Sequence, residues 1–215
     1  MSRLSRPRIL VADDHRMVAE GLKSLLSADF ELLGAVEDGR ALIEAARKHR
    51  PDVVVADISM PHLNGLDALG PLKKDNPNVK VVFLTMHQEV AYARRALEAG
   101  ASGFVLKHSA PAELVTAIRA ALDGKTYITP TLAKEVIHAF RQGDTGTDPA
   151  GQLTPRQREI LQLLAEGRSA KEIAGTLGIS SRTVEFHKYH MMESLHLHSS
   201  AELIHFAIKQ GIVSI

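Results

Sequence analysis

Cysteine is absent from the 215 residues, which excludes disulfides and thiolate metal sites and suits a reducing cytoplasm. Long apolar runs are absent too, since none approaches the roughly 20 residues that a bilayer-spanning helix needs. The basic N-terminus (Met1-Ser-Arg-Leu-Ser-Arg-Pro7) leads only into Ile9-Leu10-Val11, too short for a signal-peptide core. An excess of one charge is also missing: 26 Lys and Arg face 25 Asp and Glu, a formal net charge of +1. The chain therefore lacks the whole-protein basic footprint that many nucleic-acid binders show. No glycine-rich loop follows the first apolar run, which argues against a nucleotide-binding α/β domain. What is present is 45% hydrophobic and 24% charged residues. These are ordinary globular proportions, in a length that fits one large domain or two modest ones. The expected location is the cytoplasm, with no membrane partner.

Patterning divides the chain. From Arg8 to Asp123, short β-branched runs (Ile9-Leu-Val11, Val53-Val-Val55, Val79-Lys-Val-Val-Phe-Leu84, Phe104-Val-Leu106) alternate with helical stretches. The weaker run Glu31-Leu-Leu-Gly-Ala-Val36 completes a set of five strands. Leu22, Leu25 and Leu26 share one helix face, and Ala41, Ala45 and Ile43 share another. Strands alternating with helices of this length build a parallel sheet covered on both sides, and near-continuous apolar strands suit that burial. Residues 7–124 are thus expected to form a doubly wound α/β domain around five parallel strands. Thr129-Pro130 opens a further helix to about Arg141. Gln142–Gly151 is polar and rich in breakers, so 125–150 reads as a linker helix followed by a flexible linker.

From 151 to 215 the periodicity is purely helical, the mark of a small all-α domain. Thr154 with Gln157, Ser169 with Glu172 and Ser199 with Glu202 have capping-box spacing. Gly167, Gly178 and Gly211 fall where helices should stop. Four helices are predicted, at about 155–166, 170–177, 181–195 and 200–210. Only Gly178-Ile-Ser180 separates the second from the third, the tight turn of a helix-turn-helix.

In a sheet of this kind the carboxyl ends of the strands line one edge, where ligands bind. Asp13 and Asp14 follow the first strand, Asp57 ends the third, Thr85 the fourth and Lys107 the fifth. One aspartate at a strand end is ordinarily a helix cap, but convergence of all these positions asks for another role. Half-buried carboxylates are unfavourable unless a cation joins them, and an all-oxygen set favours Mg²⁺. A carboxylate beside Mg²⁺, a lysine and a hydroxyl can attack phosphorus while the cations neutralise the transferring oxygens.

The segments Val11-Ala-Asp-Asp-His15, Val55-Ala-Asp-Ile-Ser-Met-Pro-His-Leu-Asn-Gly65, Phe83-Leu-Thr-Met-His87 and Gly103-Phe-Val-Leu-Lys107 resemble a response-regulator receiver domain. That resemblance implies a flavodoxin-like fold and assigns roles. Asp57 would accept a phosphoryl group from the histidine of a sensor kinase. Asp13, Asp14, Asp57 and the Ser59 carbonyl would hold Mg²⁺. Lys107 would contact the phosphoryl oxygens, and Thr85 would bond to the group and draw its loop inward. The switching aromatic, often tyrosine in the family, is Phe104 here, which leaves coupling to packing. Ser59 and His87, each two residues beyond a site residue, are placed to flank the water path to an acyl phosphate.

On the third C-terminal helix, steps of 100° put Val184, Met191 and Leu195 on an inward stripe. Arg182, Glu185, Phe186, Tyr189 and Glu193 fall opposite. Two aromatics on an outward face suit either a protein partner or base edges and thymine methyls in a major groove. Glu185 suits a cytosine amino group, while Ser181, Arg182, Thr183 and Lys188 suit phosphates. The segments Leu153-Thr-Pro-Arg-Gln-Arg-Glu-Ile-Leu161, Ser169-Ala-Lys-Glu-Ile-Ala174 and Leu177–His187 are similar to the LuxR-type domain of NarL/FixJ-class regulators. His190, Ser194 and His198 stand where relatives often have Arg or Lys. Seven Lys and Arg face six Asp and Glu from Gly151 onward, with five histidines, so mild acid makes this region more cationic.

Together the two resemblances imply a two-component transcriptional regulator rather than an enzyme, its receiver aside, which catalyses its own phosphorylation and dephosphorylation. The implied partners are a sensor histidine kinase, double-stranded DNA, a second copy of the phosphorylated chain and, at the output, RNA polymerase. An orphan DNA-binding regulator and a covalent phosphotransfer enzyme are the alternatives. The complete acidic set opposes the first, and the unexplained helix-turn-helix opposes the second.

Overall fold

Residues 6–141 and 152–213 are described by a computed structural model, and the expected flexible linker Gln142–Gly151 lies outside them. The chain divides into two compact units, Met1–Asp144 and Thr145–Ile215.

In the first unit the apolar runs become parallel strands β1 (Arg8–Ala12), β2 (Glu31–Val36), β3 (Val53–Ala56), β4 (Lys80–Thr85) and β5 (Gly103–Leu106). Helices α1 (Arg16–Leu26), α2 (Gly39–His49), α3 (Gly65–Asp75), α4 (Val90–Glu98) and α5 (Pro111–Leu122) follow them in turn. A short sixth strand, β6 (Tyr127–Ile128), extends the expected five, and the sheet order is β2-β1-β3-β4-β5-β6. It pairs with Gly103 and Phe104 of β5. Two residues are too few to show alternation, so only this pairing reveals the strand.

Strand alternation sorts the core into two layers. Ile9, Val11, Val53, Val55, Val82, Leu84 and Val105 point to the side of α1 and α5, meeting Leu22, Leu26, Leu114 and Ile118. Leu10, Val54, Val81, Phe83, Phe104 and Leu106 point to the other side, meeting Leu42, Leu69, Ala93 and Ala96. On α2, Leu42 and Ala46 are buried, and Ile43 and Ala45 are partly buried against the same core. Asp38 caps that helix, accepting from the amides of Arg40 and Ala41.

Helix α6 (Pro130–Arg141) belongs to this same layer. Leu132 and Val136 are buried in it, and the Thr129 hydroxyl accepts the Leu106 amide of β5 at 3.1 Å. The stretch after 124 thus continues the receiver's sheet and core before any linker.

The second unit holds α7 (Pro155–Ala165), α8 (Ala170–Leu177), α9 (Ser181–Ser194) and α10 (Ser200–Lys209). Their core is built from Leu153, Ile160, Ile173, Val184, Met191 and Leu203. Thr154 and Ser169 form reciprocal capping boxes with Gln157 and Glu172. Ser199 completes only half of the third. It accepts the Glu202 amide, but the Glu202 carboxylate takes the amide of His198 at 2.8 Å. Ser199 sits at φ −144, against −62 and −71 at the other two caps, which turns its own N–H away. Gly178 ends α8 at φ 63, a left-handed position that suits glycine, and the chain re-enters a helix at the Ser180 cap.

Candidate functional site

The β1–α1 and β3–α3 connections bring their carboxylates together because β1 and β3 are adjacent and parallel. Asp13 is 2% and Asp57 4% exposed. The Lys107 ammonium, carried in from the end of β5, lies 2.8 Å from Asp13 Oδ2 and 2.6 Å from Asp57 Oδ2. The other Asp57 oxygen accepts the Ile58 amide at 2.6 Å, and Asp13 Oδ1 accepts the His15 amide at 2.9 Å. Burial pushes the Asp57 carboxyl up from the ordinary carboxylate value, against the pull of Lys107. Burial also pulls the Lys107 ammonium down, but its bonds to Asp13 and Asp57 outweigh this and leave it raised. An ammonium held between two carboxylates is fixed in its charged form.

One participant was not expected. His15 lies beside the expected aspartates, its Nδ1 2.9 Å from Asp14. Ligand atoms of Asp13, Asp14, His15 and Asp57 lie within 4.8 Å of one another. The sequence signal was only adjacency, Asp-Asp-His, and nothing in periodicity tells which way a loop side chain turns. The carboxylate-rich donor set fits a hard divalent ion, and three carboxylates beside a single lysine leave two negative charges for one.

Thr85 is fully buried at the end of β4, where its hydroxyl accepts the His87 amide at 3.2 Å. Ser59 Oγ meets His87 Nε2 at 2.7 Å, and the His87 ring stacks on Tyr92 at 4.0 Å. The loops after β3 and β4 are thereby joined beside Asp57. Phe104 is fully buried in the α6-side layer, so its ring occupies the inward position. A Cβ on Gly65 would collide with the Asp57 carbonyl, which explains a glycine eight residues after Asp57. With it, α3 can start against the acidic loop, and the Gly65 amide reaches Ile58 O at 2.9 Å.

In the second unit, Val184 and Met191 are fully buried on the inner side of α9, and Leu195 is partly buried against the same core. Phe186 and Tyr189 stand 66% and 63% exposed. Ser181 and Arg182 are exposed and Thr183 is half-buried at the start of the helix. Glu185 and Lys188, expected at a base and a phosphate, pair with each other at 3.5 Å. Ser180 caps the helix through the Thr183 amide at 3.0 Å. Arg156 ties α7 to the turn by donating to Leu177 O at 2.9 Å.

Comparison with known proteins agrees with both units. The family described as response regulator receiver domain matches residues 9–119, and bacterial regulatory proteins, luxR family, match 151–207. The chain is 37% identical over 216 residues to the transcriptional regulatory protein MctR of Rhizobium johnstonii, covering 100% of this chain and 99% of that one. It is 35% identical to the oxygen regulatory protein NreC of Staphylococcus carnosus, covering 96% and 99%. Among solved structures it is similar to RcsB from Salmonella enterica serovar Typhimurium bound to promoter P1flhDC with phosphomimetic BeF3⁻ (TM-score 0.62, 28% identity, 94% and 98% covered). A receiver fold ending in an acidic pocket, followed by a luxR-type helix-turn-helix, places this chain in the two-component response regulators of the NarL/FixJ class.

Proposed function

We propose that the chain is a transcriptional regulator whose DNA binding is governed by phosphorylation of Asp57. The observation that carries this reading is the convergence of Asp13, Asp57 and Lys107 within 2.8 Å contacts in a chain that also carries a helix-turn-helix. Asp57 Oδ2 attacks the phosphorus of a phosphohistidine on a sensor kinase. The O–P bond forms as the N–P bond breaks, and the freed imidazole takes a proton from solvent. Lys107 follows the charge from the carboxylate to the phosphoryl oxygens. Asp13, Asp14 and Asp57, with the Ser59 carbonyl, would hold Mg²⁺, which supplies charge neutralisation to the entering group. Thr85 bonds to the phosphoryl group, giving up the His87 amide. That change favours one of two receiver states, with Phe104 as the buried reporter. The favoured state dimerises, and the dimer reads two half-sites. Ser181, Arg182, Thr183 and Lys188 contact phosphates, and Glu185, Phe186 and Tyr189 face the bases.

The test is binding of the full chain to genomic DNA fragments, with and without Mg²⁺ and a small-molecule phosphodonor, beside Asp57→Ala. The expected result is enrichment of particular fragments that needs both the phosphodonor and Asp57. Specific binding indifferent to both leaves a DNA-binding protein whose receiver is not a phosphoswitch.

A further inference from the structure

Helix α9 presents an outward surface with little net charge. Its permanent charges are Arg182 and Glu193, both exposed, and the Glu185–Lys188 pair at 3.5 Å, which cancels itself. His190 leans toward Glu193 at 3.9 Å. Between these groups stand Phe186 and Tyr189, the two large hydrophobic side chains exposed among the unit's described residues, three residues apart and therefore neighbours on one helix face. The unit's own core makes no use of them, because Val184 and Met191 fill it from the opposite side. With two basic residues, one of them paired with Glu185, the helix gains less from counterion release, and contacts that bury apolar surface weigh more in its affinity.

We infer that Phe186 and Tyr189 read thymine 5-methyl groups in the major groove, so that this regulator recognises its operator largely through apolar contacts. The inference rests on the DNA-binding reading above. The C5 methyl is the apolar feature that the major groove offers, and it distinguishes thymine from every other base there. The Phe186 ring has no conventional donor or acceptor, so the methyl is the group on a base edge from which it gains most. Tyr189 adds an apolar ring with a hydroxyl at its tip, able to bury the ring against a methyl while the hydroxyl stays at the groove wall. The pairing of Lys188 with Glu185 leaves the centre of the face to the two rings. One solved relative is bound to a promoter; in this chain the exposed face of α9 carries the aromatic pair.

The experiment uses the full chain with phosphodonor and an operator duplex taken from the genomic enrichment. Each thymine in a half-site is replaced singly by uracil, which removes the 5-methyl and leaves Watson–Crick pairing unchanged. The expected result is that at least one replacement weakens wild-type binding by about fourfold, the worth of one buried methyl. That same replacement is then neutral in Phe186→Ala or Tyr189→Ala, as a coupling cycle requires. Phe186→Leu, which keeps an apolar contact, retains part of the uracil effect. Both aromatics are exposed, so the variants keep the wild-type unfolding midpoint, and a loss of binding reports on contact. Uracil duplexes that all bind like thymine duplexes overturn the inference and leave DNA binding standing. So does a uracil effect of equal size in both alanine variants. Full operator affinity in Phe186→Ala/Tyr189→Ala assigns the rings to a protein partner and equally overturns it. No enriched fragment at all removes the DNA-binding reading and this inference together.

Discussion

Lys107 stands where the pocket needs a cation, and its position sets what a metal ion must do. Three carboxylates, Asp13, Asp14 and Asp57, face one ammonium, leaving two uncompensated negative charges, the charge of one divalent ion. The ammonium sits in direct contact with Asp13 and Asp57, so it lowers the negative potential an entering ion would feel. Lys107→Ala therefore lowers the metal-free unfolding midpoint, because removing one partner strands buried charge. The same variant gains more from Mg²⁺ than the wild type, since the pocket's attraction is no longer shared. Unfolding midpoints of both proteins across a Mg²⁺ titration check this. A smaller Mg²⁺ shift in Lys107→Ala than in the wild type rejects the argument. Residues of this kind were readable in advance because strand ends are fixed by strand patterns, and Asp13, Asp57 and Lys107 are strand-end residues. His15 was not readable, because its ring is turned by a loop whose dihedrals no periodicity encodes. Ser199 is similar: its spacing to Glu202 promised a full capping box, and a local φ denied half of it.

At the scale of elements, α6 bears on where the receiver ends. From the sequence the receiver is expected to end at 124, with the helix after it given to a linker, yet Leu132 and Val136, one helical turn apart, are buried among Ala93, Ala96 and Phe104. The clue lay in their i, i+4 spacing, but nothing local says which surface such a stripe meets. The two-residue β6 that delivers α6 could be seen only as a partner of β5. Because α6 packs on the layer holding Phe104 and α4, its removal or loosening is a change to the receiver itself. Val136→Ala removes two methyl groups from a fully buried site and costs roughly 2 kcal/mol. The receiver's unfolding midpoint should fall by about 5 °C. A free linker helix would show no change in receiver stability, and that result would place α6 outside the core. The helices of the second unit, by contrast, were legible almost to the residue, because capping residues and Gly178 act locally and α9 shows its buried stripe within its own sequence.

At the scale of the whole molecule, charge is the quantity that links the units to DNA. The chain has a net charge of +1, so its attraction to DNA must be local and modest at neutral pH. From Gly151 onward the balance is seven basic against six acidic residues, with His187, His190, His196, His198 and His205 in addition. Protonation of an imidazole near phosphates is favoured by them, and by linkage each proton taken up on binding strengthens binding as the pH falls. The sign is fixed: added positive charge releases more counterions, so affinity rises from pH 8 to pH 6 at constant salt, and the salt dependence steepens. Each histidine brought near a phosphate adds up to about 0.9 to the slope of log affinity against log salt for duplex DNA. In a homodimer on two half-sites every such contribution counts twice, so the steepening is legible even if only His187 and His190 of each subunit take part. Titrating a fluorescent operator at several salt concentrations at pH 6 and at pH 8, with phosphodonor present, measures both quantities. His190→Gln should remove part of the difference while leaving the pH 8 affinity close to wild type, because the imidazole is then replaced in its uncharged form. Equal affinities and equal slopes at the two pH values would assign the histidines to packing and helix surface, and the DNA attraction to the permanently charged and hydroxyl groups of α9 and the aromatic pair.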